Sequence, residues 1–412
     1  MNALPKAKFL DPSTPPTMIT LVILASMGAL SMNIFLPSMP AIQEYFGASP
    51  SAVQFLLSGF LFMNGVLQLL LGPLSDRYGR RPVALWSFGI FVIASIVCAN
   101  APNTATLVTA RTIQAVVVAS FVLSRAAARD IAGTKDAASM MGYIAMGMSV
   151  APMLGPTIGG FLQEAFGWTA PFWALSGLGV LVLFLVFRDM GETNLTPSSS
   201  MSEQVRQYPQ LLTSRRFWGY ALANMFASGV FFSLLGGAPF VGTEVYGLSP
   251  STLGLYFIFG PMGYFTGSLI TGRYAARLGT YRMLTIGSSL TIFGMVLALI
   301  LVQNGYEHPI AFFGCTVFIG IGNGMVIPSA SAGMMSINPR LAGTAAGLGG
   351  SMMTSGGGAM SALVVIFLSK EAGVTPLILF MLVSAVFGLL AAIYTIRVEH
   401  QMRGDEDHPT LP

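Results

Sequence analysis

Apolar residues run along this chain in blocks of about twenty, nearly free of charge and separated by short polar connections. At 1.5 Å of rise per helical residue, such a block crosses a hydrocarbon layer of roughly 30 Å. The pattern predicts six helices in the first half, at 18–38, 51–72, 82–100, 104–127, 137–162 and 169–188. Six more follow at 216–240, 251–272, 282–303, 309–335, 341–368 and 375–397. The one long polar connection, between Arg188 and Arg216, carries the serine-rich run "TPSSSMSEQ" and reads as a flexible linker. The expected organisation is a six-helix bundle over 1–190, a linker over 191–215, a second bundle over 216–398 and a tail over 399–412.

Composition agrees. The 412 residues are 54% hydrophobic and only 9% charged, against about 25% charged in soluble domains. The fold class is therefore an all-α membrane protein with two pseudo-symmetric six-helix bundles. The run from Met18 to Leu36 is too long for the apolar region of a signal peptide and is expected to remain as the first helix.

The net charge of +4 does not indicate nucleic acid, because of where the charges fall. Of 20 lysines and arginines, 18 lie in the termini and in alternate connections; Lys370 lies on the opposite side and Arg111 within a helix. By the positive-inside rule both termini are cytoplasmic. The basic balance is a topology signal, and nucleic-acid binding is excluded as its purpose. Cys98 and Cys315 sit in apolar segments, and His308, His400 and His408 in a loop and the tail. No C-x-x-C, H-E-x-x-H or Walker A pattern occurs, so neither a metal site nor ATP hydrolysis is expected. Nor does a nucleophile–base pair point to an enzyme.

The halves resemble each other. Shifting by 200 places Gly72, Arg77 and Gly79 on Gly272, Arg277 and Gly279, while Asp76 falls on Ala276. Pro40 matches Pro239 at a shift of 199. A duplicated six-helix unit with a central linker is an arrangement of transporters that rock about a mid-membrane site.

Several residues carry chemistry. Gly72 and Gly79 are expected to permit the turn joining two antiparallel helices. Gly147, Ala151, Gly155 and Gly159 recur every four residues as one smooth face, and Pro152 and Pro156 can bend that helix. This suits a helix between the halves, although ordinary tight packing would use the same residues. Arg111, about seven residues into its helix, is the one basic residue within the membrane and a functional candidate by default. Its other reading is a structural arginine bonded to carbonyls and side-chain amides. Gln114 falls near the same face.

"GPLSDRYGRRP" resembles motif A of the major facilitator superfamily, "RTIQAVVVAS" its motif B, and "APMLGPTIGG" the antiporter-associated motif C. "LSMNIFLPSMPAI" and "FRDMGETN" resemble the Bcr/CflA drug-efflux branch, and the likeness spans the chain. It implies a cytoplasmic gate made of Gly72, Asp76, Arg77, Gly79, Arg80 and Asp130. In that gate Arg80 pairs with Asp130, and Asp76 lies against the start of helix eleven near Gly343 and Thr344. It further implies proton-driven antiport in a bacterial inner membrane, with no cofactor beyond the proton gradient, a small-molecule substrate and lipid as partners, and a monomer.

One departure stands out. Such exporters typically place an aspartate where this chain has Asn33, and none of the 16 Asp and Glu residues falls mid-helix. Asn33 cannot titrate and arginine effectively never does, so proton antiport needs acids at the mouths. Neutral or anionic amphipathic substrates are expected. Arg111 would be the cavity charge, and Asn33, Asn64, Gln68, Gln114, Asn224 and Asn323 would be hydrogen-bonding groups. Asn64 and Gln68, at i,i+4, equally fit a role bridging helices. Two other readings stand beside drug export: a metabolite exporter or uncoupled facilitator of the same fold, and a membrane sensor or channel.

Overall fold

A computed structural model describes residues 7–194, 208–306, 308–338 and 341–407, and the side chains of most of 132–150 lie outside the description. The first half begins with α1 (Met18–Asn33), a 3₁₀ turn at Leu36–Ser38 and α2 (Met39–Phe46). Next come α3 (Pro50–Tyr78), α4 (Arg80–Ala99), α5 (Thr104–Gln114), α6 (Ala119–Phe166) and α7 (Ala170–Asp189). The second half contains α8 (Tyr208–Leu212), α9 (Arg215–Phe240), α10 (Pro250–Tyr256) and α11 (Phe259–Gln303). It ends with α12 (Ile310–Phe313), α13 (Thr316–Ser336), α14 (Ala342–Val365) and α15 (Thr375–Asp407).

Ten stretches among the described residues are long and apolar enough to cross a membrane. The predicted segments 137–162 and 341–368 are helical as well, within α6 and as α14. Its many glycines, with serines and threonines, lower the apolarity of α14. Large side chains such as Trp86, Phe184, Phe293 and Phe387 are exposed on the helix surfaces, as lipid-facing positions require.

Two expectations about boundaries change. The connection expected between helices four and five, around 128–136, is helical, and α6 runs unbroken through it. "AAARDIAGTKDAAS" holds no proline to stop a helix. Gly72 does not make the α3–α4 turn: α3 continues past it and past Pro73 to Tyr78. Gly79 alone makes the turn, with φ 96° and ψ 154°, a region essentially reserved for glycine. Gly279 breaks α11 in the same way, with φ 80° and ψ 160°.

The repeat extends further than motif A. Gly47 (φ 58°) and Gly247 (φ 64°) are both left-handed. Ser49 and Ser249 then cap α3 and α10 by accepting the amides of Ala52 and Thr252, at 3.2 and 3.3 Å.

The chain forms two compact units. One comprises Met1–Ser202 with Ala238–Ile258, the other Glu203–Gly237 with Phe259–Pro412. The compact division thus differs from the sequence repeat, because the segment holding α10 packs on α6 of the first half. In the first unit α7 is tied to α1, and in the second α15 is tied to α9. Asp189 accepts the amide and hydroxyl of Thr17, the N-cap of α1, both at 2.9 Å. Glu399 accepts from Arg216 at 2.6 and 2.7 Å and from the Tyr220 hydroxyl at 3.2 Å.

Candidate functional site

Three groups of polar residues deserve assembly from the helices that carry them. The first surrounds the α3–α4 turn. Arg80 is buried and four residues beyond Asp76, so the turn brings its guanidinium back onto α3. It pairs with Asp76 at 2.5 Å, with Asp130 of α6 at 3.1 Å, and donates to the Ser75 hydroxyl at 2.5 Å. The expected pairing of Arg80 with Asp130 is present. Arg77 stands outside this cluster; it is exposed, with its guanidinium 5.3 Å from the ring of its neighbour Tyr78.

The second group is the polar core of the first unit. Arg111 on α5 is fully buried and lies between the rings of Phe35 and Phe60, 4.2 and 4.1 Å from their centroids. It donates to the Ser31 carbonyl at 2.7 Å, the Ser31 hydroxyl at 3.3 Å, the Leu56 carbonyl at 3.4 Å and the Gln114 side-chain oxygen. Gln114 in turn donates to the Ser95 hydroxyl at 2.6 Å. Carbonyl dipoles and ring faces together solvate a charge that no carboxylate offsets among the described residues. Of the two readings of Arg111, this geometry matches the one bonded to carbonyls and amides.

Asn33, two residues beyond Ser31, is fully buried; its amide nitrogen donates to the Ala29 carbonyl at 2.6 Å and its oxygen has no donor. Gln68 donates to Asn64 at 3.0 Å, so these two satisfy each other along the α3 surface.

The third group lies in the second unit. The side-chain oxygens of Asn224 and Ser228 on α9, and of Asn323 and Ser329 on α13, are buried without a donor. A Cβ on Gly333 would sit 2.4 Å from the Tyr220 ring, which puts α9 and α13 side by side. A buried polar atom without a partner costs about 1–3 kcal/mol; the two asparagine oxygens call for a donor, and the two serine hydroxyls take either a donor or an acceptor. Sequence reading singled out the two asparagines; Ser228 and Ser329 carry no local signal that separates them from packing serines.

Of the two readings of the small-residue face of α6, the structure shows close packing within one bundle. A Cβ on Gly155 would meet that of Asn33 at 3.1 Å, and one on Gly159 would lie 1.7 Å from the Ile34 carbonyl oxygen. Ala151 is buried on the same face, and Gly147 lies outside the described side chains. This face therefore holds α1 within the first half. A different face receives α10: Thr157 donates to the Gly254 carbonyl at 3.0 Å, and a Cβ on Gly254 would lie 2.4 Å from the Pro156 carbonyl oxygen. Glu164 accepts the Ser251 amide at 3.3 Å. Pro152 and Pro156 lie within α6 without ending it.

Membrane-length helices in an inexact repeat around a polar core are the architecture of a membrane transporter. A model of the Major Facilitator Superfamily matches residues 21–362, and the chain belongs to that family. The uncharacterized MFS-type transporter YdgK of Bacillus subtilis is 33% identical over 377 residues, covering 90% of this chain and 92% of its own. The bicyclomycin resistance protein homolog of Haemophilus influenzae is 27% identical, covering 84% and 88%. The chloramphenicol resistance protein of Pseudomonas aeruginosa is 29% identical, covering 78% and 76%. These relatives bear out the Bcr/CflA resemblance. In fold, the chain is similar to a bacterial homolog of the human lysosomal transporter Spinster, with a TM-score of 0.73, 16% identity and coverage of 94% and 97%.

Proposed function

We propose that this protein is a secondary active exporter of small amphipathic compounds in a bacterial inner membrane, working by alternating access. In this reading twelve helices cross the membrane, both termini face the cytoplasm and the proton gradient supplies the energy. The lysine and arginine distribution supports that orientation, and the drug-resistance relatives support the cargo class.

One observation carries the substrate preference: Arg111, fully buried, has no carboxylate partner among the described residues. Its field disfavours a cation in the same half of the membrane. Asn33, Asn224 and Asn323 offer hydrogen bonds to an uncharged molecule, and the buried oxygens of the second unit accept from its N–H and O–H groups. Neutral and anionic compounds are the preferred cargo. Proton coupling then falls to acids outside the apolar helix centres, Asp76 and Asp130 at the α3–α4 turn among them.

A strain stripped of its own exporters, expressing this protein, provides the test. Expression should protect against neutral amphipathic drugs such as chloramphenicol and leave sensitivity to lipophilic cations unchanged. Protection against cations alone contradicts the preference, and protection against nothing contradicts drug export. The second reading, an uncoupled facilitator, draws on Asn33 standing where these exporters typically have an acid. It predicts export that survives an uncoupler.

A further inference from the structure

The six residues from the end of α7 onward, Asp189 to Asn194, bind the starts of α1 and α4, the end of α3 and the interior of α6, and nothing in the reading above uses these contacts. Asp189 is fully buried and accepts the Leu10 amide at 2.6 Å besides its bonds to Thr17. The Gly191 amide donates to the Thr14 carbonyl at 3.0 Å, and a Cβ there would lie 2.3 Å from that oxygen. Glu192 accepts the amides of Arg80 and Arg81 at 2.8 and 3.2 Å. Thr193 donates to the Asp130 carboxylate at 3.2 Å, and Asn194 to the Asp76 carbonyl at 2.7 Å.

The start of α4 thus has the Glu192 carboxylate on its amides, and the Asp76 carboxylate on the side chain of its first residue, Arg80. The free amides at the beginning of α4 carry roughly half a positive charge. Asp76 lies one turn earlier on α3, and Glu192 arrives from the other end of the unit. Glu192 holds those amides, so Asp76 is left to the Arg80 guanidinium. Gly79 serves this arrangement twice: its backbone makes the turn, and a Cβ on it would lie 2.4 Å from the Glu192 carboxylate.

We propose that Glu192 is a positioning residue for the Asp76–Arg80–Asp130 cluster. By filling the start of α4 it keeps Asp76 paired with Arg80, and so sets the rate at which the transporter changes conformation. Glu192 acts through that cluster and touches no cargo. The inference rests on the reading of this chain as an exporter that works by alternating access.

Full-length protein in proteoliposomes, with radiolabelled chloramphenicol as the neutral probe, gives Vmax and KM separately. Glu192→Ala should lower Vmax about tenfold with KM unchanged, since a charge-assisted capping contact is lost and no cargo contact is. Glu192→Gln, which keeps a carbonyl oxygen for one amide, should recover part of the rate. In an Asp76→Asn background Glu192→Ala should add nothing, because the two act as one unit. Spin-label distances between the two halves, measured without cargo, should shift in Glu192→Ala and not in the double variant.

Wild-type Vmax and distances in Glu192→Ala, or effects that simply add to those of Asp76→Asn, overturn the inference. If Glu192→Ala does not fold, Glu192→Gln carries both measurements. A wild-type protein that moves no chloramphenicol indicts the functional reading instead, and the distance measurement still decides on Glu192.

Discussion

Gly79 and Gly279, two hundred positions apart, hold nearly the same backbone conformation, and each breaks a pair of consecutive helices. Their surroundings differ: a Cβ on Gly79 would strike the Glu192 carboxylate, whereas one on Gly279 would meet nothing within 4 Å. Alanine at either position costs about 1–3 kcal/mol of backbone strain. Gly79→Ala should cost more, because it also displaces the cap of α4. Gly72→Ala, inside a helix with open space around it, should be neutral or gain up to about 1 kcal/mol. Thermal unfolding of the three variants in detergent gives the ranking.

Glycines at the contacts of α6 with α1 and α10 should respond in graded fashion. Gly159→Ala places a methyl 1.7 Å from a backbone oxygen of Ile34, and Gly254→Ala one 2.4 Å from that of Pro156. Backbone cannot yield as a side chain does, so both should lower folded yield sharply. Gly155→Ala, at 3.1 Å from the Asn33 Cβ, should be tolerated far better. Size-exclusion recovery of each variant checks the order.

Arg111 organises the core of the first unit. Arg111→Leu removes the donor to the Ser31 and Leu56 carbonyls and to Gln114 and should destabilise the protein by at least about 3 kcal/mol. Lysine should not rescue it, since a single ammonium cannot span three acceptors or stack between Phe35 and Phe60. Melting temperatures of the two variants decide.

Asn33→Asp would add a titratable group beside α6 at the position where related exporters have an acid. In vesicles it should increase the proton movement that accompanies drug addition. Unchanged proton movement would mean that coupling does not pass through this position.

The membrane helices and the repeat were legible because both are local or periodic signals: twenty apolar residues need no partner to be recognised, and a 200-residue shift shows in the glycines alone. Arg111 was visible as an anomaly, but its surroundings were not. Gln114 shares its helix face, but Ser31, Phe35, Leu56 and Phe60 come from two other segments that only packing brings to it. The role of residues 189–194 was likewise hidden. "FRDMGETN" signals a branch of the family, while the partners of Asp189 and Glu192 lie more than a hundred positions away. The turn assigned to Gly72 failed because motif spacing shows that a turn is near and not which glycine carries positive φ.

Chloramphenicol efflux from preloaded cells lacking other exporters, followed with and without an uncoupler, decides whether this protein is a proton-driven exporter. Proton-driven export predicts rapid efflux that collapses when the uncoupler dissipates the gradient. Efflux that persists at the same rate would contradict coupling, and retention equal to that of cells without the protein would contradict export itself.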